Sequence, residues 1–319
     1  MQKLFAVLIA SVLILPSALH AQTYPSRPIR FVISFGPGSA SDALARIAGH
    51  ELYQSLGQPV VVVPKPGADG AISGLEVKRA AADGYTFLFG SNSALAVVTN
   101  MRKEPPYDVL KDFTPITYIG DNTFFIVIHP SVPAKTLAEL IAHAKAKPNA
   151  INYVVGNTYA LVSTALFAAN NGIQMHAVSY KSEPDAIADL LSGRVHLLNG
   201  TATNVLAHVK DGRLRALATT LPERSPLLPD VPSFQEAGQP KFPIGPWFAM
   251  VAPAGLPGEL VTRMNKEMVA VLGKPSVKEA MLKHGFMPKS STPEALAAYL
   301  KEQHTIWKGA LKTAGVEQQ

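Results

Sequence analysis

At 319 residues with no cysteine and a formal net charge of +6, the chain excludes disulfides, thiol catalysis, cysteine-based metal sites and a lipid-bearing cysteine anchor. The charge excess is modest, and no run of Lys and Arg interleaved with aromatics points to nucleic acid, so no such partner is expected. After the first residues nothing approaches the ~20 consecutive apolar residues of a membrane span.

Lys3 precedes an apolar run from Leu4 to Leu15, followed by Pro16 and the small residues Ser17 and Ala18. A basic start, a short apolar core and a small polar exit have the form of a secretory signal peptide. Cleavage is expected after Ala21, which assigns 1–21 to export and leaves 298 residues (319 − 21). That length suffices for two lobes of ordinary size.

Ile29 to Phe35 reads as a buried strand, and Leu44, Ile47, Ala48, Leu52 and Leu56 follow helical spacing up to Gly57. Val60 to Val63 is a second strand, and a loop and helix lead to the turn pair Asp83-Gly84. "YTFLFG" (85–90) is a third. Strands separated by helices without hairpin turns imply a parallel sheet with right-handed crossovers. The pattern then restarts. Strands are predicted at 124–130, 151–155, 175–180, 195–200 and 214–220, with helices over Leu137–Ala146, the segment from Thr158, and Pro184–Leu191. After a proline-rich passage, "WFAMVAP" (247–253) is one more strand, and the chain reads as helical from there to its end. The division expected is 22–123 for a first lobe, 124–245 for a second, and 246–319 returning to the first. The fold class is thus α/β, each lobe a mostly parallel sheet flanked by helices, with a ligand cleft between the lobes.

The turn after the first strand, Gly36-Pro37-Gly38-Ser39-Ala40-Ser41, lacks the third glycine of a dinucleotide fingerprint, and Val63 leads to Pro64-Lys65 where an acid is required. No Lys follows Gly38 as in a P-loop. Neither G-x-S-x-G nor H-E-x-x-H occurs, and the nine histidines never pair at metal spacing. His176 and His196 lie in apolar strands, and Asp185 and Asp189 share a helix face with Lys181 and Arg194 nearby, a salt-bridge pattern. No catalytic group, metal or cofactor is expected. What the glycine turn offers is a helix N-terminus with unpaired N–H groups and a positive dipole end, suited to an anion. Ser39 and Ser41 add hydroxyls, whereas Asp42 suits helix capping. Gly156-Asn157-Thr158 repeats the arrangement in the second lobe. Two dipoles could face one cleft, or both could be ordinary strand-to-helix turns.

Taken together, several stretches resemble one family, the Bug-type solute-binding receptors of tripartite tricarboxylate transporters. They include "YPSRPIRFVISFGPGSASD" (24–42), "LGQPVVVVPKPGADG" (56–70), "AAADGYTFLFGS" (80–91), "PYDVLKDFTPIT" (106–117), "VSYKSEPDAIADLLSGRVHLL" (178–198), "SPLLPDVPSFQEAG" (225–238) and "WFAMVAPAGLP" (247–257). The resemblance spans nearly the whole mature chain. It implies a two-lobed periplasmic-binding-protein fold closing on a small carboxylate held by backbone N–H groups, hydroxyls and water. The matching positions are Phe35, Gly38, Ser39, Ala40, Ser41, Asp42, Ser91 and Asn92 in the first lobe, and Asn157, Thr158, Tyr159, Asn199 and Gly200 in the second. Departures are a shortened second turn carrying Tyr159, Leu161 where a histidine is common, Ser182 in the Y-K-G motif, and Asn199-Gly200 where the family often has Phe-Asp. Loss of that acid argues against amino-acid ligands. Tyr159 either offers a ring to a flat ligand or packs. The resemblance implies a periplasmic, monomeric receptor without a lipid anchor, for a dicarboxylate or aromatic carboxylate. It would deliver the ligand to a membrane transporter; the alternatives are presentation to a membrane sensor and a secreted α/β hydrolase with a Ser–His pair in the cleft.

Overall fold

The computed structural model describes residues 24–240, 242, 244–316 and 318; the signal-peptide assignment lies outside them. In chain order come β1 (Ile29–Ile33), α1 (Ala40–Leu56), β2 (Val60–Pro64), α2 (Ala71–Lys78), β3 (Thr86–Ser91), α3 (Val98–Met101) and β4 (Phe113–Asn122). Next are β5 (Phe124–Ile128), α4 (Leu137–Ala146), β6 (Asn152–Val155), α5 (Thr158–Asn171), β7 (His176–Ser179), α6 (Glu183–Leu191), β8 (Leu197–Thr201), α7 (Ala202–Lys210) and β9 (Arg215–Thr219). Last come β10 (Trp247–Pro253), α8 (Gly258–Gly273), α9 (Pro275–Lys283), β11 (Phe286–Pro288) and α10 (Pro293–Thr313).

Two sheets result, β11-β4-β10-β3-β1-β2 and β7-β6-β8-β5-β9. Both are mixed. β1 runs parallel to β2 and β3, and β6 parallel to β7 and β8, as crossover helices require. β10 inserts antiparallel between β3 and β4, and β5 antiparallel between β8 and β9. Only Thr123 separates β4 from β5, so the chain changes sheets in one residue.

Strand alternation builds the cores. Ile29, Phe31 and Ile33 face one apolar layer with Phe87, Phe89, Phe248 and Met250, under α1, α8 and α9. Val32, Leu88, Ala249 and Val251 face the opposite layer, roofed by α10 through Leu296, Leu300 and Trp307. That second layer also takes in Tyr159, Val162 and Leu166 of α5. The C-terminal helix therefore packs on both halves of the molecule, and Trp307 stands 6.2 Å from Tyr159, ring to ring.

Several elements differ from the sequence reading. β4 contains Pro115 and β-bulges against β10, which blur its alternation. α7 follows β8 with no intervening turn residue, so no stop signal marks it. The tail is not helical throughout, because β11 interrupts it and pairs with β4.

Candidate functional site

The carboxyl ends of β1, β3, β6 and β8 open on one cavity of about 560 Å³. This is the crevice that open α/β sheets offer to ligands. Several helices begin there too. Ser39, Ala40 and Ser41 at the start of α1, Gly70 before α2, Thr158 and Tyr159 of α5, Glu183 of α6 and Thr201 before α7 all line it. Each helix start carries roughly half a positive charge and unpaired N–H groups. Convergence of several on one space makes it attractive to anions without an arginine, and no arginine lines it among the described residues.

Two side-chain donors, Ser91 Oγ and Asn92 Nδ2, and one acceptor, Asn122 Oδ1, add to the helix starts. Ser91 and Asn92 at the end of β3 and Asn122 at the end of β4 line the cavity, each 3% exposed. Ser91 Oγ, Asn92 Nδ2 and Asn122 Oδ1 find no hydrogen-bond partner among the described residues. Buried polar atoms left unpaired cost about 1–3 kcal/mol each. Three of them against one cavity indicate that something else answers them.

Of the residues picked out from sequence, Phe35, Ser39, Ala40, Ser41, Ser91, Asn92, Asn157, Thr158 and Tyr159 line this cavity. Gly38, Asp42, Asn199 and Gly200 do not. Asp42 Oδ2 accepts the Gly38 N–H at 3.1 Å, and its Oδ1 pairs with Arg46 at 2.9 Å. Those contacts hold the Asp42 carboxyl below its usual range despite the opposing effect of burial. Both groups are spent on shaping the turn, with Ser39 Oγ accepting the Asp42 N–H as the cap of α1. Gly38 serves through its left-handed φ of +79°. Asn199 lies inside β8, turned to α5, where its Nδ2 donates to Ser163 Oγ at 2.6 Å.

Gly200 bears on the inference drawn from its missing acid. A Cβ there would come within 2.7 Å of Glu183 Oε1. An acid is therefore present beside residue 200 although the residue itself has none. Glu183 is 5% exposed, and its carboxyl accepts the Thr201 N–H at 2.5 Å, the Thr201 hydroxyl at 3.1 Å and Asn204 Nδ2 at 3.1 Å. It answers the start of α7 as a bound anion would. Burial without a cation pushes its carboxyl up to about 7.

Tyr159 is 2% exposed, edge-on to Phe124 at 4.7 Å between centroids. Its face is covered, so it packs rather than presenting a ring to a flat ligand. Its hydroxyl lies beside Thr220, and neither oxygen has a partner at hydrogen-bond geometry among the described residues.

Sequence reasoning missed Asn122, Glu183 and Asp69. Asp69 sits in the loop before α2, where Ala68 and Asp69 both adopt left-handed φ (48° and 57°). The Thr158 hydroxyl donates to Asp69 Oδ1 across the cleft at 2.7 Å, joining a first-sheet loop to a second-sheet helix. Residues of this kind have no local signature; only the tertiary fold brings them to the cavity.

Residues 44–316 match the family model described as tripartite tricarboxylate transporter family receptor. Protein BugT of Bordetella pertussis is 35% identical over 302 residues, 94% of this chain and 93% of that protein. A solved structure of an R. palustris protein with adipate superposes with a TM-score of 0.86 at 31% identity, covering 92% of this chain and 98% of the other. The periplasmic binding protein BugD gives 0.85 at 31% identity, covering 93% and 100%.

Proposed function

The chain belongs to the tripartite tricarboxylate transporter receptor family, a family of solute-binding receptors and not of enzymes, and from that premise we propose that it captures an organic carboxylate in the periplasm. The observation that carries this reading is the meeting of several helix N-termini with the unpaired donors Ser91 Oγ and Asn92 Nδ2 around one cavity. A dicarboxylate suits it best: one carboxylate at the start of α1 with Ser91 and Asn92, the other toward the start of α5. The adipate held by a relative of similar fold supports that choice. Residues 22–123 and 246–319 act as one lobe and 124–245 as the other. A ligand touching both favours the shut form by its differential affinity, and the shut form is what a tripartite transporter receives, from a monomeric receptor. The aromatic-ligand variant loses its support with Tyr159 packed.

Thermal denaturation against C4 to C6 dicarboxylates, each paired with its uncharged diamide, tests the reading. A ligand at ~100 times its Kd adds ~2.7 kcal/mol of stability, so at least one diacid should raise Tm while its diamide does not. Equal effects from acid and amide, or none from any acid, would refute it.

A further inference from the structure

Glu183 is not required by an anion-binding cleft. A carboxylate in the wall of a cavity built for carboxylates repels the ligand it should help hold. Yet Glu183, Thr201 and Asn204 all line that cavity, bonded to one another. Gly200 leaves the space that the carboxyl occupies, since any larger residue would meet Oε1. Gly156, which opens the turn into α5, would likewise place a Cβ 2.8 Å from the Glu183 backbone. Two glycines thus seat this side chain between the starts of α5 and α7.

The charged and titratable groups on the elements around it are few. Tyr180 and Lys181 precede it in the loop, Asp185 and Asp189 follow on α6 with Asp189 held by the Tyr180 hydroxyl, His208 lies one turn beyond Asn204 on α7, and Asp69 faces the cavity from the first sheet. None of them forms a hydrogen bond or ion pair with Glu183 among the described residues. Asp185 is engaged by the Ser182 hydroxyl at 2.8 Å. Three donors reach the carboxyl, whereas an ionised carboxylate offers about four acceptor sites and a protonated one can donate.

We propose that Glu183 meets the ligand as a carboxylic acid, donating its proton in a hydrogen bond to the far carboxylate of a bound dicarboxylate. The inference rests on the carboxylate reading above and adds the residue that selects the second charge. Where Glu183 is ionised in the free protein, binding takes up one proton from solvent onto it, and no other bond changes. Its raised titration, about 7, places this exchange within the ordinary working range of pH. A ligand with an ammonium or no charge at that end has no use for the proton and follows a different pH profile.

Calorimetry with adipate and with hexanoate at pH 6 and pH 8 tests this, on wild type and Glu183→Gln. Between those values a group titrating near 7 goes from mostly protonated to mostly ionised, so wild-type affinity for adipate should weaken about tenfold. Hexanoate, lacking the far carboxylate, should not show that loss. In Glu183→Gln, whose amide keeps a donor at all pH values, adipate should bind equally at both. Titrations of wild type in two buffers of different ionisation enthalpy should show proton uptake at pH 8, a readout that needs no variant. Adipate affinity unchanged with pH and without proton uptake, or tighter at pH 8, overturns the role of Glu183 and leaves the carboxylate reading standing. Failure of both acids to bind at either pH overturns both.

Discussion

Thr158→Val tests the hydrogen bond that crosses the cleft. The substitution keeps the side-chain shape but removes the hydroxyl that donates to Asp69 Oδ1 across the cleft. α5 keeps its cap, because Asn157 Oδ1 still accepts the Ala160 N–H at 2.8 Å. Hydrogen bonds to charged groups contribute about 1.5–3 kcal/mol when buried. Asp69 is exposed, which reduces this to about 1 kcal/mol, or roughly fivefold in the balance of shut to open forms. A ligand that binds the shut form inherits that factor in its apparent affinity. Calorimetry with a dicarboxylate should therefore show about fivefold weaker binding. Solution scattering of the free variant should show a slightly larger radius of gyration, limited by the contact of α10 with both halves. Asp69→Asn, which keeps an acceptor oxygen, should lose less. Unchanged affinity together with an unchanged scattering profile would refute the bridge as a contributor to closure.

Gly200→Ala places a Cβ against Glu183 Oε1 and two buried side chains, so a loss of about 1–3 kcal/mol is expected in denaturant unfolding; no loss would mean that Glu183 is not held there. The Glu183 carboxyl titrates higher in the folded chain than its ordinary 4.5, so the folded state binds the extra proton. Wild-type stability should fall as pH rises from about 4.5 to about 7, by up to about 3 kcal/mol. Glu183→Gln should flatten that part of the profile, and an identical slope in the variant would assign it to other groups. Tyr159→Phe removes a buried hydroxyl without a partner and should leave stability equal or higher, with dicarboxylate affinity intact. A large loss of binding would restore Tyr159 as a ligand group.

Much of the architecture was legible because apolar runs and their punctuation are local. Ile29–Ile33, Thr86–Ser91 and Trp247–Pro253 each alternate between two buried layers, and Gly57 ends α1 with φ +70°. The start of α1 was legible as a glycine turn leading into a capped helix for the same reason. What escaped is set by tertiary structure. β11 is three residues that become a strand only because β4 has a free edge there. Asn199 looked like a strand-end ligand group, but β8 continues to Thr201, so its amide sits beside α5. Glu183 precedes the helix expected from Pro184 and drew no role from sequence; the space left by the glycine at 200 and the start of α7 turn it inward. The acid beside Gly200 reaches in from position 183, which no inspection of position 200 could reveal.

The most direct measurement is a crystal structure of the protein with a bound dicarboxylate. The ligand should lie in the cavity between the two sheets, one carboxylate on the opening N–H groups of α1 with Ser91 Oγ and Asn92 Nδ2. Its other carboxylate should reach the start of α5, within hydrogen-bond distance of Glu183. A ligand seated outside that cavity, or one leaving Ser91 Oγ and Asn92 Nδ2 still without partners, would contradict it.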